Sequence, residues 1–222
     1  SIIIGYPNNP TGAIMEREDL EAIAKFAEDH DLIVISDEIY GELTYGDREP
    51  ICFSSLKNMR DRTIVLNGFS KAYAMTGWRI GYALGVPEII AAMTKIHQYT
   101  MLCAPITAQL GAVEALRHGE KYMKKMVAEY DRRRKLIHER FSKIGFPAFE
   151  PKGAFYIFPD ITSSGLTSDE FAEVLLEREH VAVVPGSAFG SCGEGHIRCS
   201  YATSIDKISE ALNRIEHFKK NL

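Results

Sequence analysis

Four short apolar runs most constrain how this chain can fold. They are "III" at 2–4, "LIVIS" at 32–36, "TIVLNG" at 63–68 and "RIGYALG" at 79–85. The first three carry apolar residues on consecutive positions, as strands buried on both faces do. Residues 16–30, between the first two, place Leu20, Ile23, Ala24 and Ala27 on one helical face. Buried strands joined by helices predict an α/β architecture with a mostly parallel sheet covered on both faces. In such sheets the polar groups just past the strand ends line the ligand crevice. Asn9, Asp37 and Lys71 stand at such places.

Residues 87–118 read as helical, with a break near 103–105. A long helix follows over about 120–144. Met126, Tyr130, Ile137, Phe141 and Ile144 form its apolar stripe, and its many lysines and arginines form the wet face. After Gly145 the texture changes. "AFYIFPDI" reads as a strand, and Thr167 with Glu170 is a capping-box signature for a helix to about 179. "VAVVPG" and "HIRCSYA" are short strands around a tight glycine-rich loop at 190–195. A last helix turns Ile205, Ile208, Leu212, Ile215 and Phe218 inward. The expected organisation is a partial large domain at 1–120, a connecting helix at 121–145 and a small C-terminal α+β domain at 146–222.

Composition narrows the function classes. The net charge of −4 over 222 residues offers no basic footprint for nucleic acid and no polybasic patch for a membrane. No apolar run reaches membrane length. Cys52, Cys103, Cys192 and Cys199 form no C-x-x-C pair and read as reduced thiols of a cytoplasmic protein. The seven histidines are scattered without an H-E-x-x-H, so no metal site is expected. "SIIIGYPNNP" opens in the middle of a strand, and the chain reads as a piece of a longer protein. Such a piece is expected to bind cofactor weakly and to be inactive alone.

"LNGFSKAYAMTGWRIGYALG", at 66–85, holds Lys71 and Arg79 as its only charges. Charged side chains in an apolar setting need partners. Five motifs supply a context: "NNPTG", "SDEIY", "GFSKAYAMTGWRIGY", "PGSAFG" and "GEGHIRCSYA", in that order. Together they resemble the fold-type I, pyridoxal-phosphate-dependent aminotransferases of class I/II, in the subgroup of aspartate and aromatic aminotransferases. The resemblance runs over essentially all of this chain and over only the later part of the usual family chain.

The resemblance implies roles, each with a chemical need behind it. Pyridoxal 5'-phosphate requires a primary amine for a Schiff base, which Lys71 supplies, and the same amine can shuttle a proton. A carboxylate keeps the pyridine nitrogen protonated, which is the place of Asp37; Glu38 points the other way and reads as structural. Tyr40 and Asn9 match the donors to the phenolic oxygen, and the Asn9–Pro10 bond is expected to be cis. Arg79 matches the phosphate arginine. Many relatives carry a phosphate-binding serine three residues before the lysine. Here that position is Gly68, and Ser70 either offers its hydroxyl or simply closes the turn. Arg198 matches the arginine that takes the substrate α-carboxylate, so Asn9 and Arg198 are the substrate-binding candidates. Trp78 reads as core packing. Phe155 and Tyr156 read as core, or as neighbours of the substrate.

The implied reaction moves an amino group between an amino acid and a 2-oxo acid, in a homodimer. Two alternatives use the same scaffold. One is a carbon–sulfur β-lyase or an aminocyclopropane carboxylate synthase-like enzyme. The other is the aminotransferase-like effector domain of a transcription regulator.

Overall fold

The computed structural model describes residues 1–48 and 50–222. It divides into two compact units. The first comprises Ser1–Asn8 and Ile14–Val127; the second comprises Asn9–Ala13 and Ala128–Leu222.

The first unit is built on a four-stranded sheet in the order β1-β2-β3-β4. The strands are β1 (Ile2–Gly5), β2 (Val34–Asp37), β3 (Thr63–Gly68) and β4 (Gly81–Leu84). β1, β2 and β3 run parallel, with Gly5, Asp37 and Leu66 side by side, and β4 is antiparallel to β3. Helix α1 (Arg17–Asp29) is opened by a capping box between Glu16 and Asp19. Its Leu20, Ala24 and Ala27 join Ile4, Val34, Phe53 and Met59 in one core. The other face of the sheet differs from the expectation of full cover, because Ile3 is 72% exposed. An apolar strand residue declares a preference for burial, and does not say which segment will cover it.

The helical stretch after β4 does break, into α2 (Pro87–Thr100) and α3 (Ile106–His118). Trp78, expected in the core, is 48% exposed and lies across Gly111, where a Cβ would come within 2.9 Å of its ring. Trp78 closes the short 3-10 turn Thr76–Trp78.

β3 and β4 approach closely at their paired glycines. A Cβ on Gly68 would stand 2.9 Å from Gly81 Cα and 3.1 Å from the Ile80 carbonyl oxygen. The glycine at the place where many relatives carry serine is thus set by the backbone of β4. A serine there would force that backbone outward.

The helix α4 (Glu120–Ile144) contains the division between the units, at 127/128. Within the second unit, β5 (Tyr156–Ile157), β6 (Val184–Pro185) and β7 (Ile197–Ser200) form an antiparallel sheet in the order β5-β7-β6. α5 (Ser168–Glu179) starts at the Thr167–Glu170 capping box, and α6 (Ile205–Lys220) starts at Ser204. Phe171 is the centre of this core, edge-on to Phe146 at 5.5 Å and to Phe218 at 5.3 Å. The expected strand "AFYIFPDI" shrinks to two residues. Ala154 takes a left-handed φ of 55° before it, and beyond it only isolated bridges at Ala148↔Pro159 and Asp160↔His196 continue the pairing. The basic residues of α4 are not all on its wet face either: Arg134 is buried, 7% exposed.

The cysteines of the described residues are free thiols. Burial pushes the Cys199 thiol up to about 12, whereas Cys103 and Cys192 are exposed. At neutral pH a thiol reagent should therefore label Cys103 and Cys192 within minutes and Cys199 only on denaturation; rapid labelling of Cys199 in the folded protein would contradict its burial. Gly68→Ala should lower stability to urea by about 1–3 kcal/mol. Gly77→Ala, whose Cβ would meet nothing within 4 Å, should shift it by less than about 0.5 kcal/mol. Equal shifts for the two variants would show that the β3–β4 contact is slack.

Candidate active site

In the first unit, the parallel register brings the C-terminal ends of β1, β2 and β3 to the same edge. Asp37 is the last residue of β2. Its side chain is exposed, and Oδ1 accepts a hydrogen bond from the Ile39 amide at 3.1 Å. Glu38 turns inward, as the extended backbone requires. Its Oε1 accepts from Ser36 Oγ at 2.9 Å and from the Phe53 amide at 2.9 Å. That buried carboxylate ties the end of β2 to the segment at 52–53, a structural role.

Lys71 lies three residues past β3 in a compact turn. The Phe69 carbonyl accepts from the Tyr73 and Met75 amides, and the Lys71 carbonyl accepts from the Ala74 amide. Lys71 is half-buried, with Nζ 5.7 Å from the centre of the buried Tyr40 ring. Ser70, also half-buried, accepts a bond from Thr76 Oγ1 on its carbonyl at 2.9 Å, which closes the turn.

Arg79 follows the turn in the left-handed region, φ 54° and ψ 49°, a conformation uncommon for a side-chain-bearing residue. Its guanidinium is exposed and donates to the Thr76 carbonyl at 2.9 Å. The stretch 66–85 is thus not a buried segment with two trapped charges. It is a loop between two antiparallel strands that presents an amine and a guanidinium, its base held by the Gly68–Gly81 contact.

In the second unit the structure brings Asn9 and Arg198 together. Arg198 Nη1 donates to Asn9 Oδ1 at 2.8 Å. The guanidinium carbon lies 4.5 Å from the Tyr156 ring centre and 5.0 Å from that of Phe189. Two aromatic faces and one amide oxygen therefore fix the plane of Arg198 while leaving the group partly open. Tyr156 is both core and neighbour of this cation. Phe189, in "PGSAFG", was not singled out by sequence; its motif was the available signal. The cis bond of the first loop is Tyr6–Pro7, and Asn9–Pro10 is not cis. Both are X-Pro bonds, open to either isomer at small cost, and the motif alone does not say which one turns.

The arrangement offers an amine beside a phenol ring, a carboxylate on the adjacent strand end, an exposed guanidinium and, in the other unit, a clamped guanidinium. The chain was compared with known proteins. The family model "Aminotransferase class I and II" matches residues 1–215. A putative aminotransferase of Bacillus subtilis is 53% identical over 218 residues, covering 98% of this chain and 56% of that protein. An aspartate aminotransferase of Pyrococcus abyssi is 50% identical, with 97% and 56% covered. The crystal structure of an aromatic aminotransferase from Pyrococcus horikoshii superposes with a TM-score of 0.95 at 49% identity, covering 99% of this chain and 59% of that one. The chain thus spans a little over half the length of these relatives. By the family model over residues 1–215 and by these likenesses of sequence and fold, it belongs to the class I and II aminotransferase family.

Proposed function

We propose that the protein carrying this chain transfers an amino group between an amino acid and a 2-oxo acid, with pyridoxal 5'-phosphate as its cofactor. The observation that carries the reading is the turn after β3. It presents Lys71 beside Tyr40, in the same unit as Asp37 and Arg79. This donor set fits a phosphorylated pyridine aldehyde: an amine for the aldehyde, a carboxylate for the ring nitrogen, a guanidinium for the phosphate. When bound, that group supplies an electron sink for a carbanion at the substrate Cα.

The chain's own residues do the rest. Lys71 would hold the cofactor's aldehyde through Nζ, and the same amine would take the proton from the substrate Cα. Asp37, already accepting from the Ile39 amide, keeps a free oxygen for the ring nitrogen. Tyr40 and Asn9 orient the ring's phenolic oxygen, and Arg79, assisted by Ser70, holds the phosphate. Arg198 takes the substrate carboxylate in a bidentate pair, a task for which a planar fork suits better than an ammonium.

In this reading the first unit is part of a larger cofactor-binding domain, and the second is the small domain. In this reading the enzyme is a homodimer. No described helix is long and apolar enough to cross a membrane; the reading places the enzyme in the cytoplasm.

Borohydride reduction of the cofactor-loaded protein, followed by peptide mapping, should place the pyridoxyl group on Lys71; a label on another lysine would refute the assignment. Arg198→Ala should raise KM for dicarboxylic and aromatic amino acids alike and lower kcat/KM roughly a hundredfold, about 3 kcal/mol. Cofactor affinity should hold. Unchanged kinetics across the panel would reduce Arg198 to a structural charge.

A further inference from the structure

Arg134 has no part in that reading, yet it is the one buried cation among the described residues. Its Nε donates to Asp131 Oδ1 at 2.8 Å within α4. Its Nη1 donates to Glu150 Oε1 at 2.5 Å and to the Pro151 carbonyl at 3.0 Å. One guanidinium thus ties the helix to the turn at 150–153. Only a planar fork reaches these three acceptors together; an ammonium in its place would lose at least one.

The turn is in turn the seat of another segment. The Lys152 and Gly153 amides both donate to the Gly12 carbonyl, at 2.8 and 2.9 Å. Gly12 has φ +70°, and a Cβ there would stand 2.5 Å from Pro151 Cβ and 2.9 Å from the Gly153 carbonyl oxygen. Close-packed contacts of this kind transmit displacement instead of absorbing it. Three residues before Gly12 is Asn9, whose Oδ1 accepts from Arg198. Three residues after Gly153 is Tyr156, whose ring faces the Arg198 guanidinium. Two of the three partners of Arg198, Asn9 and Tyr156, therefore hang on the turn that Arg134 holds, and Phe189 does not.

We propose that Arg134 is a positioning residue for recognition of the substrate carboxylate, acting through the 150–153 turn and Asn9 on Arg198. The proposal rests on the aminotransferase reading for its kinetic consequence, and on the geometry alone for its effect on Arg198. A merely structural Arg134 would affect stability, kcat and KM together. A positioning Arg134 would affect the carboxylate step.

The test uses Arg134→Met, Arg134→Lys and Glu150→Gln, with Arg134→Met also placed in the Arg198→Ala background. Arg134→Met should raise KM for amino acid and 2-oxo acid about tenfold, with kcat within about twofold. Arg134→Lys should recover part of the loss. In the Arg198→Ala background Arg134→Met should add nothing. An unchanged KM in folded Arg134→Met, or a full additional rise in that background, overturns the proposal. Should Arg134→Met fail to fold, Glu150→Gln decides: a smaller KM rise of the same pattern supports the relay, and no change overturns it.

The second readout is the Arg198 side-chain Nε–H signal in nitrogen-15 NMR, assigned by its loss in Arg198→Ala. It should be sharp in the unmutated protein and broadened in Arg134→Met, or in Glu150→Gln if that variant is used. An unchanged signal overturns the proposal. Absence of any amino transfer by the unmutated protein would sink the aminotransferase reading, and the NMR signal would still judge the relay.

Discussion

The parallel register of β1, β2 and β3 is the constraint on which the first unit depends. Parallel neighbours point their C-terminal ends the same way, so Gly5, Asp37 and Leu66 stand abreast. Whatever follows each strand must leave from one edge. This is how Asp37 and Lys71, separated by more than thirty positions in the chain, come to serve the same side of the sheet. β4 breaks the parallel pattern for a local reason. The loop that bears Lys71 and Arg79 returns at once, as an antiparallel connection can and a parallel crossover cannot.

That loop is held from below by the absence of side chains. Gly68 and Gly81 let the two backbones approach closer than any Cβ allows. From above it is held by backbone hydrogen bonds to Phe69 and by Thr76 on the Ser70 carbonyl. The left-handed Arg79 is the cost of the tight exit, and the guanidinium is presented to solvent as a result. In the proposed reading, where Arg79 meets a phosphate dianion, strain in the turn and rigidity beneath it belong together, because a cation that is already ordered loses less on binding.

The second unit meets the same problem by a different route. Arg198 sits on a short strand that has little stiffness of its own. Its plane is set by two rings and an amide, each brought from a different segment. The buried Arg134 serves that assembly at some thermodynamic cost. Desolvating a guanidinium is expensive, and a well-packed apolar side chain would often stabilise as much or more. Hydrogen bonds from Arg134 hold the Glu150 carboxyl below its usual range, the sign of a pair that favours its charged form. Stability alone is a weak reason for such a residue, and the geometry it imposes on the 150–153 turn is a stronger one.

The amino-acid sequence by itself determined the kinds of element and the chemistry they bear. Apolar runs announced β1 to β3, the Thr167–Glu170 box announced the start of α5, and the order of motifs announced the family. These are local signals, written in periodicity and in neighbouring residues. Tertiary structure alone decided what depends on contacts between distant positions. It left Trp78 open, cut "AFYIFPDI" to two paired residues and made Tyr6–Pro7 the cis bond. Arg134 is the clearest case. It occupies the apolar stripe of α4 between Tyr130 and Ile137, a spacing that was readable, yet the last arginine of the run 132–134 on a basic helix reads as solvated. Only the fold brings Glu150 and the Pro151 carbonyl to it, and a charge can be buried only where such partners converge.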